Sequence, residues 1–297
     1  MTTQTHGELL HDHVDAGMIP AGEAARAGGR DTIVELDPDH PGFRDAAYRA
    51  RRNRIARLAA DHRPGSTPPD APYTSEEHAL WATVLDALAP AHRTHACREY
   101  LEAFARLDLP RERIPQLREV SARVEALSGF RLEPVAGLVS PRVFLENLAD
   151  GVFLCTQYIR HHSAPLYTPE PDVVHELLGH AVTLASPRLA ELNRLVGRAV
   201  RRARTGGGIE RLSRVYWFTV EFGVVREGGR VKAYGTGLLS SAGELEAMRE
   251  AALRPLDLDT AAHAAYDPTH FQPVLFCADS FDSMYETLRE YLSARAD

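Results

Sequence analysis

The chain has 297 residues, 44% of them hydrophobic, enough to bury a substantial core in one large domain or in one domain with a small appendage. A net charge of −7, a pI near 6.1 and the lack of any long basic run leave nucleic-acid binding without electrostatic support. Cys97, Cys155 and Cys277 are odd in number and form no C-x-x-C pair, which excludes a disulfide framework and a zinc ribbon and predicts free, mostly buried thiols.

The N-terminus, MTTQTHGELLHDHVDAG, has neither a basic nor an apolar leader region. No stretch approaches about 18 apolar residues, so a soluble cytoplasmic protein with no membrane partner is expected. Residues 1–30 are polar and rich in Gly and Ala, and are expected to form a flexible tail. From Gly42 to His62 apolar and alanine positions recur at helical spacing; Arg49, Arg51, Arg52 and Arg54 are expected on its solvated face. After the loop RPGSTPPDAPYT, Ser75 is the expected cap of a second helix with acidic residues in its first turn. A third helix is predicted over 92–106. A fourth is predicted from Ile114, with Pro115 early and Gly129 past its end.

Farther on, SPRVFLENLADGVFLCTQYIRHHS predicts a helix feeding an extended segment. Prolines hold TPEPDVVHELLGHAVTLA out of helix until Asp172. Arg188–Arg204 is a predicted helix ended by Gly206, Gly207 and Gly208. RVYWFTVEFGVVREGGRVKAYGTG reads as a short hairpin turning at REGG, or as a helix that runs into one. DSFDSMYETLREYLSARAD predicts a terminal helix.

His175 and His180 stand five positions apart, whereas the zinc-protease signature H-E-x-x-H sets them four apart on one helix face. At about 100° per residue, five positions are roughly 140° apart, so a straight α-helix cannot aim both rings at one point. Convergence would need the stretch to straddle a helix start, which Pro169 and Pro171 permit. Glu221 is a lone carboxylate in an aromatic run, costly to bury unless paired or bound to metal. Two imidazoles and one carboxylate with open coordination positions make the facial triad of non-heme iron(II) oxygenases. The alternative is two locally bonded helix histidines and a glutamate paired with an arginine.

TPEPDVVHELLGH, YWFTVEFG and KAYGTGLLSS–GEL resemble the pterin-dependent aromatic amino acid hydroxylases. The likeness continues through DPDHPGF, YRARR, THACREY, IPQL, SGFRLEPVAGL and FQPVLFCADSF, covering roughly residues 35–290. It implies a mainly α fold with a few short strands, a basket-like helical array around an iron site. It also implies one catalytic domain over 31–297, with neither an N-terminal regulatory domain nor a C-terminal tetramerisation arm, hence a monomer or a dimer. The implied reaction takes Fe(II), a tetrahydropterin, O₂ and a free aromatic amino acid to the ring-hydroxylated amino acid.

Carried over by position, His175, His180 and Glu221 match the iron ligands. Glu176 matches a carboxylate near the pterin, and Tyr216 a residue close to the metal. Phe144 matches an aromatic that stacks on the pterin, and Val139 lies in the matching GLVSPR loop. In that loop Pro141 replaces a common serine, and Leu154 stands where animal phenylalanine hydroxylases carry a histidine. Arg160 matches the arginine that holds the substrate carboxylate, braced by Asp172, as a guanidinium fork requires. Thr168, Trp217, Phe222, Gly237 and Ser240 match the substrate pocket. Pro268 stands where tyrosine hydroxylases have an acidic residue, which favours phenylalanine over tyrosine, although a one-residue shift of the loop would bring the adjacent Asp267 into that place; tryptophan or tyrosine is the alternative substrate. The rival classes are a zinc hydrolase, disfavoured by the histidine spacing, and a metal-free binding protein, disfavoured by the presence of all three matched ligands.

Overall fold

The computed structural model describes residues 36–268 and 270–294; the expected tail, residues 1–30, lies outside them. The first half is a helical array: α1 (Ala46–Ala60), α2 (Ser75–His95), α3 (Arg98–Leu107) and α4 (Leu117–Ser128). Helix α2 is capped by Thr74 rather than Ser75, because the capping box needs Glu77 three residues on: Thr74 N donates to Glu77 Oε2 at 2.8 Å, and Glu77 N to Thr74 Oγ1 at 3.3 Å. It runs through Pro90 to His95, so the third helix starts at Arg98 rather than at 92. Helix α4 opens at Leu117, with Gly129 in the left-handed region at its end (φ 76°). Arg52 departs from the solvated face expected for it. It is 2% exposed, packs over the Tyr158 ring at 3.8 Å and pairs with Glu170.

Strand β1 (Arg131–Pro134) lies parallel to β2 (Val152–Cys155), joined by α5 (Pro141–Leu148), with Arg131 opposite Val152. There follow a seven-residue π-helix, π1 (His175–Ala181), α6 (Val182–Leu184), α7 (Pro187–Arg202) and α8 (Gly206–Tyr216). The glycine triplet opens α8 instead of ending α7. Thr205 supplies the cap by accepting from Gly208 N, and the triplet sits where bare backbone is tolerated.

Helix α8 passes directly into a second π-helix, π2 (Trp217–Glu221), so the aromatic run is helical and only its end forms the hairpin. Strands β3 (Val224–Glu227) and β4 (Arg230–Ala233) are joined by Gly228 and Gly229, both at positive φ (57° and 73°), as a tight two-residue turn demands. Then come α9 (Thr236–Leu239), α10 (Ala242–Ala247), β5 (Ala252–Pro255), α11 (Leu258–Ala261), β6 (Val274–Ala278) and the terminal α12 (Phe281–Ala294). The larger sheet has the order β4-β3-β6-β5. One core, from Leu80 and Trp81 through Leu177 and Leu178 to Leu288 and Leu292, spans both halves. All three cysteines are buried and free. Among the described residues no helix is long and apolar enough to cross a membrane.

Candidate active site

The two π-helices face each other across the site and solve the spacing problem of the histidines. Where hydrogen bonds close i→i+5, positions five apart lie about one turn apart instead of on divergent faces. His180 Nε2 comes to 3.0 Å from His175 Nε2 and 3.1 Å from Glu221 Oε1, and His175 Nε2 lies 3.9 Å from Glu221 Oε2. One ligand atom from each of the three residues falls within 4.8 Å of the others. Glu221 sits at the end of π2, where Phe222 N bonds Trp217 O at 2.9 Å in the i→i+5 manner.

Neighbouring side chains hold each of the three in place. Thr236 Oγ1, at the start of α9, donates to Glu221 Oε2 at 2.7 Å. His175 Nδ1 lies 2.9 Å from Ser240 Oγ at the end of the same helix. Phe153 of β2 covers the His180 ring at 4.4 Å. Burial pulls the His175 pKa down to about 4, helped by the His180 charge, so its ring is neutral near pH 7. Burial opposes ionisation of Glu221, but the charge and hydrogen bond of His180 outweigh it and hold the carboxyl well below its usual range. Two imidazoles and an ionised carboxylate, buried and converging on one point, fit a divalent cation of the borderline kind.

Glu176 projects from π1 next to His175 and accepts from both Thr156 N and Thr156 Oγ1 at 3.0 Å. Burial pushes its pKa up to about 7 despite these bonds. The Tyr216 hydroxyl is buried near Glu221 without closing a hydrogen bond, and burial raises its pKa.

Arg160 and Asp172 form a buried, two-pronged pair. Nε and Nη2 donate to the two carboxylate oxygens at 2.9 and 2.8 Å, and Arg160 N adds a third bond at 2.7 Å. The same carboxylate accepts from His175 N at 3.2 Å, so Asp172 both aims the guanidinium and caps the turn that carries the first histidine.

Phe222 and Trp217 rings lie 4.6 Å apart, and Tyr266 stacks on Trp217 at 4.3 Å. A Cβ on Gly237 would stand 2.7 Å from Phe222 Cζ, so this wall requires glycine opposite it. Phe144 is half-buried on α5, edge-on to Phe153 (5.3 Å) and Tyr216 (5.9 Å). Val139 precedes the Ser140 cap of α5, in which Pro141 takes the first helical position without conflict. Thr168 is turned to its own backbone, with Oγ1 donating to Glu170 O at 2.9 Å, and Pro268 is exposed. Thr156, Thr236, Phe153 and Gln272, whose Oε1 accepts from Trp217 Nε1 at 3.1 Å, escaped the sequence reading. Only the placing of Thr236 inside KAYGTG hinted at any of them.

Residues 30–295 match the family model of the biopterin-dependent aromatic amino acid hydroxylases. The chain is 48% identical over 265 residues to tyrosine 3-monooxygenase of Mus musculus, covering 87% of this chain and 53% of that protein. It is 46% identical over 264 residues to phenylalanine-4-hydroxylase of Bos taurus, covering 87% and 58%. It thus spans just over half the length of these relatives. The structure of Chromobacterium violaceum phenylalanine hydroxylase with iron(III) and 7,8-dihydrobiopterin superposes with TM-score 0.72 at 30% identity, over 80% of this chain and 90% of that one. The apo phenylalanine hydroxylase of Colwellia psychrerythraea 34H gives 0.72 at 28% identity, over 80% and 89%.

Proposed function

The chain belongs to the biopterin-dependent aromatic amino acid hydroxylases, and from that premise we propose that it uses Fe(II), a tetrahydropterin and O₂ to hydroxylate the ring of free L-phenylalanine. The observation that carries this reading is the convergence of His175, His180 and Glu221 beside an aromatic wall and a buried arginine. Bound there, iron and the reduced pterin would together supply the oxygen activation that side chains cannot.

The remaining tasks belong to the chain's own residues. His175, His180 and Glu221 would hold the metal, and as three protein ligands they would leave coordination positions for the reactants. Arg160, with Nε and Nη2 taken by Asp172 and one Nη1 hydrogen on Pro165 O at 3.5 Å, offers its remaining Nη1 hydrogen to the substrate carboxylate and so points the ring away from itself. Trp217 and Phe222 supply flat apolar surface for the ring and keep water from it. Phe144 supplies an aromatic surface for the pterin, beside Val139. Glu176, fixed through Oε1 by Thr156, holds or releases a proton at Oε2 near neutral pH. The Tyr216 hydroxyl is an unspent donor next to Glu221.

Phenylalanine is favoured over tyrosine by the loop at Pro268. The adjacent Asp267 is exposed and its Oδ2 is paired with His270 Nδ1 at 2.9 Å, so it offers a substrate phenol no dedicated acidic partner. The test is turnover of iron-loaded protein with tetrahydropterin, O₂ and each of Phe, Tyr and Trp, with the product's ring position read by NMR. The highest kcat/KM is expected for Phe. A higher value for Tyr overturns the substrate assignment, and pterin-independent or absent oxygen uptake overturns the activity.

A further inference from the structure

A second convergence of metal-ligating side chains lies at the start of α1. Asp45, His161 and His162 each offer one ligand atom, and these atoms lie within 4.8 Å of one another. Asp45 caps α1 through Oδ1, which accepts from Tyr48 N at 3.0 Å; its Oδ2 is left facing His161 Nε2 at 3.3 Å. The His161 ring is buried, wedged against the Tyr48 ring at 4.9 Å, and its Nδ1 lies 2.7 Å from Ser163 Oγ. The exposed His162 ring lies 4.2 Å from that of His161, and its side chain makes no hydrogen bond among the described residues.

We propose that Asp45, His161 and His162 form a second metal site, taking a divalent transition ion such as zinc or cobalt with solvent water completing its shell. Two imidazoles select a borderline transition ion over calcium or magnesium, which prefer all-oxygen shells. The carboxylate brings the neutralising charge. Ser163 plays the part that a metal-bound histidine needs at its far nitrogen. On binding, the metal takes Nε2 of the neutral His161 ring, whose single proton then sits at Nδ1 and is donated to Ser163 Oγ, while the 3.3 Å bond from Ser163 N, which needs Nδ1 as acceptor, is given up. Nearby groups are already committed and leave the fourth position to water. His40 accepts from Gly42 N at 2.9 Å through Nδ1 and faces Glu170 at 3.4 Å through Nε2, while Glu170 pairs with Arg52. An ion here ties the first turn of α1 to the segment directly after Arg160. It therefore stiffens the arm that presents the guanidinium, at a site that shares no ligand with the first triad.

The test is titration of the iron-loaded full chain with Co²⁺ at neutral pH, followed by visible absorption and by elemental analysis of iron and cobalt after desalting. One cobalt per chain is expected with iron content unchanged. Binding should be at least about tenfold weaker in His162→Ala and in Asp45→Asn, each of which loses a ligand. His162 is exposed, and asparagine keeps the capping oxygen, so both variants are expected to fold; a melt without cobalt checks this. His6, His11 and His13 are present in all three proteins, so any binding by them is common to all. The proposal is overturned if no cobalt binds beyond iron, if cobalt enters only as iron leaves, or if His162→Ala binds as the wild type does.

Discussion

Arg160→Lys keeps the charge of the guanidinium and removes its fork. In the wild type two prongs and the backbone N–H reach Asp172 at 2.7–2.9 Å, all in a site where Arg160 is 4% and Asp172 1% exposed. A lysine ammonium can reach Asp172 or the substrate carboxylate, but has no planar edge to hold both at once. KM for the amino acid should rise at least about tenfold, which is roughly 1.4 kcal/mol if KM tracks affinity. Iron content should be unchanged, since Arg160 touches no ligand side chain. Arg160→Ala is more severe, because it leaves a buried carboxylate without its cation, a loss of about 3–5 kcal/mol of stability. The pH dependence separates this cause from simple loss of packing. Burial raises the Asp172 pKa, yet Arg160 and its hydrogen bonds hold it below 3.8. Its folded value is depressed, so the pair stabilises fully above the unfolded pKa, and that contribution is lost as pH falls through the folded value. The stability difference between wild type and Arg160→Ala should therefore be small in strong acid and grow as pH rises through the folded value, which lies below 3.8. Urea unfolding across the acid range measures it. Steady-state kinetics of Arg160→Lys with unaltered KM and kcat, or an Arg160→Ala deficit independent of pH, would refute the reasoning.

Thr236→Val removes the 2.7 Å donation to Glu221 while keeping the shape, and is expected to weaken metal affinity about 10–100-fold in a chelator competition; unaltered affinity would show that Glu221 needs no such support. Gly237→Ala forces the Phe222 ring away from a Cβ that would stand 2.7 Å from Cζ. A cost of about 1–3 kcal/mol is expected, with KM rising for the amino acid more than for the pterin, and an unchanged melt and KM would contradict it. His92 is buried with its ring bonded to Leu239 O at 2.6 Å, and burial brings its pKa from 6.5 down to about 4. The folded value is depressed, so stability is full above the unfolded value and falls as pH drops toward the folded one, by about 2 kcal/mol between about pH 7 and pH 5. His92→Gln should flatten that part of the urea-derived stability profile, and an unchanged slope would assign the loss to other groups.

The sequence by itself determined the helical first half, the terminal helix, the REGG turn and the residues worth watching, because each rests on local chemistry. Two glycines in a row force a tight turn, a proline delays a helix, and a lone glutamate among aromatics needs a partner. The same local logic failed wherever the deciding partner was distant. The glycine triplet looked like a stop, but Thr205 caps a new helix there, and Arg52 looked solvated until Glu170 and Tyr158 enclosed it. Strands β5 and β6 are short and gain their ladder hydrogen bonds only from distant segments, β5 from β6 and β6 from β5 and β3, so neither announced itself in the chain. The site divides in the same way. His175, His180 and Glu221 were named from residue type and resemblance, whereas ordinary helical geometry said that the histidines diverge. Only tertiary packing could close the backbone i→i+5 at both π-helices, because that conformation is too rare for local preference to choose. Thr236, Ser240 and Thr156, which hold the carboxylates and the first imidazole in place, lie 15, 65 and 20 residues from the groups they bond. Hydrogen bonds across such separations exist only after the chain has packed.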